Sequence, residues 1–304
     1  MTRPFDITKI LAPTDMGPAT LPALRYARLF AAGFHAELTV LYSDPIIYPI
    51  DVVGPSALIV SSPRHEAALR GELVEYATAV LGDQPYNARV TAGQPIPSIL
   101  ECARELPADL IVVGTHLHHG WSRVLLGSVS DGVLFRSECP VLTVAADDRA
   151  LPERVESIKT IVCPINYSDV ALDSLRAARR LAQIFGADLV AVHVIERDEL
   201  ASSSEEERRV RSWIAPELDG VCSYRELVLR GGAAERVLDC AEDAGAGLIV
   251  VGAQHTFFRN ATVIGTTADR LIRFASCPVF VVPRQAVAAE EEYRQAWLSP
   301  SVVL

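Results

Sequence analysis

Three short segments place small and polar residues directly behind apolar runs. Ligand sites in parallel α/β sheets are built from such strand ends. The first is Pro13-Thr14-Asp15, behind the run Ile7–Ala12. The second is Ser43-Asp44, behind Leu38–Tyr42. The third leaves Val113-Gly114, passes through Thr115-His116-Leu117-His118-His119-Gly120-Trp121-Ser122-Arg123, and reaches Gly127-Ser128-Val129-Ser130 at a helix start. This third segment has the parts of an anion site. Gly114 lets the chain turn sharply after its strand. Gly127 and Ser128 put backbone N–H groups and a hydroxyl at a helix N-terminus, where the dipole favours phosphate. Asp15 is an acceptor for a ribose hydroxyl or a base amino group, with Ser43 on the same side. Glycines at strand-to-helix turns also occur for backbone reasons alone, so spacing leaves both readings open.

Other chemistries compete for the same loop. His116, His118 and His119 lie close together, and His255 marks the equivalent loop further on. Neutral imidazole is a common transition-metal ligand. No carboxylate or cysteine accompanies them at ligand spacing, so a metal or small-molecule site there is the lesser reading. No G-x-S-x-G elbow, H-E-x-x-H helix or cysteine–histidine pair appears, and no catalytic residue is nominated. Only two lysines occur, Lys9 and Lys159, and neither follows a glycine-rich loop. A P-loop is therefore excluded, and any phosphate must be held by backbone amides, hydroxyls and a helix end.

The elements that position these segments come in two copies. The 304 residues suggest about two domains. Ile7–Pro45 aligns without gaps on Ile158–Glu196, and Gly93–Val144 on Gly231–Val282. Leu110-Ile111-Val112-Val113-Gly114 meets Leu248-Ile249-Val250-Val251-Gly252, and Cys139-Pro140-Val141 meets Cys277-Pro278-Val279. The chain reads as a tandem duplication: residues 1–147, residues 154–284, and a tail over 285–304 without counterpart. The first copy carries 13 extra residues, around Ile46–Ser62. Each copy alternates short apolar runs with helical spacing, which argues a parallel sheet covered by helices on both faces. The spacing predicts helices over Leu21–Ala32, Pro63–Leu81, Ile96–Glu105 and Gly127–Arg136, and a short one over Glu205–Ile214 capped from Ser202-Ser203-Ser204.

Composition narrows the classes. With 28 basic and 38 acidic residues the formal charge is -10, which disfavours nucleic acid. The charge divides evenly between the halves, with no charged arm. No signal-like apolar core opens the chain and no run is long enough to span a bilayer, so a cytoplasmic location is expected. Six cysteines form no C-x-x-C pair. Cys102 and Cys240 read as buried on helices, and Cys139 and Cys277 as opening buried strands. Cys163, one residue from a strand end, is left open, and His193 reads as structural.

Ala12-Pro13-Thr14-Asp15, then Gly114-Thr115-His116 … Gly120-Trp121-Ser122-Arg123-Val124-Leu125-Leu126-Gly127-Ser128-Val129-Ser130, then Cys139-Pro140-Val141-Leu142, resemble the universal stress protein family. The whole chain resembles a tandem member. The resemblance implies an α/β fold of the adenine nucleotide alpha-hydrolase-like kind. Each domain would be a doubly wound, five-stranded parallel sheet, and the domains would pair as a pseudo-dimer through their last strands. It also implies an ATP site, with or without magnesium, on the family motif G-x2-G-x9-G-[ST]. In the first domain the implied contacts are Pro13, Thr14, Asp15, Ser43, Val113, Gly114, His116, Gly120, Gly127, Ser128, Val129 and Ser130. Leu117 replaces the motif's second glycine there. In the second domain the weaker equivalents are Asn166, Val194, Gly252, Gly265 and Thr266; His255 replaces that glycine and Phe258 stands in place of Gly120.

The expectation is a stress-response regulator binding an adenine nucleotide in its first domain, without turnover beyond slow ATP hydrolysis. The alternatives are a nucleotide-free interaction scaffold of the same fold, or a metal or small-molecule binder using the histidines. Pairing of two chains into a homodimer is left open. The apolar insert at 46–62 is expected to cover the inter-domain groove, the first pocket's mouth or its own domain's core.

Overall fold

In a computed structural model, residues 5–45, 63–115, 127–145, 157–196, 203–253, 256–258, 261–263 and 265–283 are described. The insert at 46–62 and the tail lie outside these residues. The first half runs β1 (Lys9–Thr14), a 3-10 turn (Pro18–Thr20), α1 (Leu21–Phe34), β2 (Glu37–Asp44), α2 (Pro63–Leu81), β3 (Asn87–Ala92), α3 (Pro95–Glu105), β4 (Leu110–Thr115), α4 (Ser128–Leu134) and β5 (Val141–Ala145). The second half repeats it with β6 (Thr160–Ile165), α5 (Asp169–Phe185), β7 (Asp188–Ile195), α6 (Ser203–Leu218), β8 (Tyr224–Arg230), α7 (Ala233–Asp243), β9 (Leu248–Ala253), a hairpin of β10 (Thr256–Phe258) and β11 (Ala261–Val263), α8 (Thr266–Phe274) and β12 (Val279–Pro283).

Ten strands form one sheet in the order β3-β2-β1-β4-β5-β12-β9-β6-β7-β8. Within each half all neighbours are parallel; the halves join where β5 meets β12 antiparallel. The strands are buried on both faces, which is why they read as near-continuous apolar runs. Ile10, Ala12, Leu38, Val40 and Leu142 face α1, α2, α5 and α6, while Leu11, Leu41, Ile111 and Val113 face the layer of α3, α4, α7 and α8. Alternation along the strands thus divides one sheet between two cores that run through both halves.

Some boundaries differ from the sequence reading. α4 is shorter than Gly127–Arg136. α6 begins at Ser203, within the expected Ser202-Ser203-Ser204 run, and continues through Pro216 to Leu218. Val210, Ile214 and Leu218, one turn apart, are fully buried and hold the extra turn against the sheet. The hairpin β10–β11 was not expected. Cys139 and Cys277 stand two residues ahead of β5 and β12 and are only partly buried, whereas Cys163 is fully buried in the core. Burial pushes its thiol up to about 12. No helix among the described residues is long and apolar enough to cross a membrane.

Candidate functional site

The carboxyl ends of β1, β2 and β4 and the starts of α3 and α4 enclose a cavity of about 280 Å³. Pro13, Thr14, Asp15, Ser43, Val113, Gly114, Gly127, Ser128, Val129 and Ser130 all line it. Every expected first-half residue that is described is therefore in one place. His116 and Gly120 lie outside the described residues, as do Leu117, His118 and His119. Among the described residues no group of three or more histidine, cysteine or acidic side chains is arranged to hold a metal ion. The sequence reading missed Thr20, Leu41, Tyr42, Pro45, Pro95 and Ile99, which complete the mainly apolar wall. Leu41, Tyr42 and Pro45 flank Ser43 at the end of β2, and Pro95 and Ile99 lie at the proline start of α3, which is where a signal stood; Thr20 had none. None of the lining residues among those described is basic.

The β1–α1 loop is held rigid. Asp15 Oδ1 accepts the Gly17 N–H at 2.8 Å and lies 3.3 Å from the Thr20 hydroxyl. The Met16 N–H donates to Thr14 Oγ1 at 2.9 Å, with Met16 in the left-handed region at φ 58°. The Tyr76 hydroxyl donates to the Gly17 carbonyl at 2.9 Å and touches Thr20 Oγ1 at 2.8 Å. Burial, only partly offset by bonds to Thr20 and Thr14, raises the Tyr76 pKa. The acid at the strand end thus has a structural task of its own, closing a turn, as Asp and Asn commonly do.

Gly114 works differently from the sequence reading. It stays within β4 rather than turning the chain. A Cβ there would stand 3.0 Å from the Ala19 carbonyl oxygen and 3.4 Å from Thr20 Cα, so its bare backbone lets the β1–α1 loop lie across the strand. The Ser130 hydroxyl donates to the Gly114 carbonyl at 2.6 Å and is buried. What Ser130 offers a ligand is its backbone N–H, in the first turn of α4, where N–H groups lack helical partners. The Ser43 hydroxyl is likewise engaged, on the Gly93 carbonyl at 3.0 Å.

The second half has a counterpart of about 240 Å³, lined by Asn166, Val194, Gly252, Gly265 and Thr266 together with Ser168, Glu196 and Thr267. Its chemistry differs. Asn166 Oδ1 accepts from the Ser168 hydroxyl at 2.6 Å and its N–H at 3.3 Å. Glu196, where the first half has Pro45, accepts the Ala233 N–H at 3.2 Å. A Cβ on Gly252 would meet Val170 Cγ1 at 2.5 Å, so α5 packs directly on β9. The loop that would face phosphates is partly paired with itself as β10–β11, with Phe257 opposite Thr262. His193 has the structural role expected of it. Its Nδ1 lies 3.0 Å from the Ile165 carbonyl and its Nε2 3.3 Å from Glu206 Oε1, which also accepts the Tyr167 hydroxyl. Burial, then the Glu206 bond, raises the Tyr167 pKa.

The family model described as "Universal stress protein family" matches residues 6–145 and again 157–283. The chain belongs to the universal stress protein family. A universal stress protein of Methanocaldococcus jannaschii is 32% identical over 138 residues, 45% of this chain and 81% of its own length. Two-domain coverage comes from a universal stress protein of Mycobacterium tuberculosis, 23% identical over 290 residues, 90% of this chain and 95% of that one. Among solved structures, a universal stress protein from Archaeoglobus fulgidus superposes with a TM-score of 0.71 at 21% identity, covering 91% of this chain and 98% of that one. As a universal stress protein with two such units, the chain carries one cavity of each kind.

Proposed function

We propose that the first cavity binds an adenine nucleotide, ATP with or without magnesium, and that occupancy alters partner contacts rather than driving turnover. The chain would then be a cytoplasmic stress-response regulator. The observation that carries this reading is the convergence of Asp15, Gly114 and the Gly127–Ser130 helix start on one mainly apolar cavity. The base and ribose fit its apolar wall near Asp15 and Ser43. The phosphates lie against the backbone N–H groups of Ser128, Val129 and Ser130 and the Ser128 hydroxyl. All six cysteines are unpaired, as suits a reducing compartment.

The second cavity is read as degenerate. Asn166 replaces the acid, Glu196 brings a carboxylate to its rim, and part of its loop is a hairpin. A nucleotide-free scaffold is the competing reading, favoured by Leu117 at a motif glycine. Heating the purified protein and chromatographing the supernatant separates the two. Released ATP or AMP, or a raised melting temperature in millimolar Mg-ATP, supports the first. Neither effect would leave the scaffold.

A further inference from the structure

The duplication sets counterpart residues against each other where the halves meet. In the β5–β12 register Leu142 lies opposite Phe280, its own repeat equivalent. A local twofold axis therefore passes through that pair. On one face of the sheet α1 and α5 cross above it. A Cβ on Gly33 would stand 3.0 Å from Ile184 Cγ2 and 3.0 Å from the Phe185 ring. Ile184 is the counterpart of Gly33. Phe280 stacks on Phe30, with ring centroids 6.1 Å apart. On the other face Asp131 of α4 and its counterpart Asp269 of α8 share one arginine. Arg273 Nε lies 2.8 Å from Asp269 Oδ1 and Nη2 lies 3.8 Å from Asp131 Oδ1. The first-half counterpart of Arg273 is Phe135.

Each of these contacts joins unlike residues: glycine with isoleucine, leucine with phenylalanine, and two acids with a single base. We propose that they key the two halves to one another, so that this face of the first half accepts the C-terminal half of this chain and rejects a second copy of itself. Two first halves would oppose Gly33 to Gly33 and Leu142 to Leu142, leaving voids at the helix crossing and the sheet seam. They would also oppose Asp131 to Asp131 with no arginine between them, a like-charge contact between partly buried carboxylates. Two second halves would oppose Ile184 to Ile184 in a space that already crowds one added carbon. The consequence is compositional. Every paired unit holds one cavity of the first kind and one of the second, and never two alike.

Thermal denaturation of the full chain tests this through exchanged residues. Gly33→Ile is expected to lower the melting temperature by roughly 5 °C or more, or to abolish soluble expression. Gly33→Ile combined with Ile184→Gly restores the unlike pair with its sides reversed, and is expected to recover more than half of the loss. Arg273→Phe leaves the two carboxylates facing each other and lowers the melting temperature; adding Asp131→Asn is expected to recover it. Recovery in both pairs supports keyed pairing, because the double variants depart further from the natural sequence than the singles do. Additive losses in both pairs, or a double exchange as insoluble as Gly33→Ile alone, would overturn it.

Discussion

The Ser130 hydroxyl donates to the carbonyl oxygen of Gly114 at 2.6 Å, binding the first turn of α4 to the end of β4. One short bond thus fixes the separation between the strand end and the helix start that face the first cavity. Ser130→Ala removes the donor and leaves a part-buried carbonyl oxygen without this partner. The expected cost is about 1 kcal/mol in urea denaturation. Nucleotide affinity is expected to change less than tenfold, since the backbone N–H of residue 130 remains.

Gly114 and Gly252 are equivalent in sequence and are confined by equivalent positions, Ala19 and Val170, which differ in side chain and in the element that carries them. Gly114→Ala brings its methyl 3.0 Å from the Ala19 carbonyl, and the β1–α1 loop, already braced by Tyr76, must give way. Stability should fall by about 1–3 kcal/mol and ATP affinity with it. Gly252→Ala meets Val170 Cγ1 at 2.5 Å, Ser174 Oγ at 2.7 Å and the Val170 carbonyl at 2.9 Å, so α5 itself must move. It should destabilise more than Gly114→Ala while leaving ATP affinity nearly unchanged. Paired melts and titrations check both halves of this contrast.

Tyr76 reaches from α2 to hold the loop that carries Asp15. Tyr76→Phe keeps the ring and deletes the hydroxyl from the Gly17 carbonyl and Thr20. The loop should loosen, lowering stability by about 1 kcal/mol and weakening ATP binding. Faster amide exchange at Met16 and Gly17, with unchanged exchange in β6, is the expected hydrogen-exchange signature.

Alkaline stability follows from buried acids. Burial pushes the thiols of Cys163 and Cys277 and the phenol of Tyr26 up to about 12, against ordinary values of 9.0, 9.0 and 10.0. As pH rises the unfolded chain releases these protons first. Their stabilising contribution is complete below pH 9 and is lost progressively between pH 9 and about 12. Denaturant midpoints should therefore be flat from pH 7 to 8.5 and fall steadily above 9. Cys163→Ala should make that fall shallower while lowering the midpoint at neutral pH.

Much of this was legible in the residues. Buried parallel strands announce themselves as apolar runs, and a gapless repeat carries the register of one half onto the other. The strand-end rule then placed Asp15, Gly114 and Ser128 at one edge. What stayed hidden depended on contacts between segments distant in sequence. Thr20 and Tyr76 are 56 residues apart, and no local pattern links them. The role of Gly114 is set by Ala19 rather than by its own torsion angles. The helix expected over Glu205–Ile214 runs on past Pro216 because burial of Leu218 outweighs the hydrogen bond lost there. The single arginine between Asp131 and Asp269 becomes visible only when the two copies are set face to face.

The most direct test of the account is the stoichiometry of ATP binding to the intact chain, measured calorimetrically after any carried-over nucleotide has been removed. The account predicts about one nucleotide per chain, with binding abolished by an Asp15→Ala and Ser128→Ala double variant and unaffected by Asn166→Ala. Saturation at two per chain, or no binding at millimolar Mg-ATP, would contradict it.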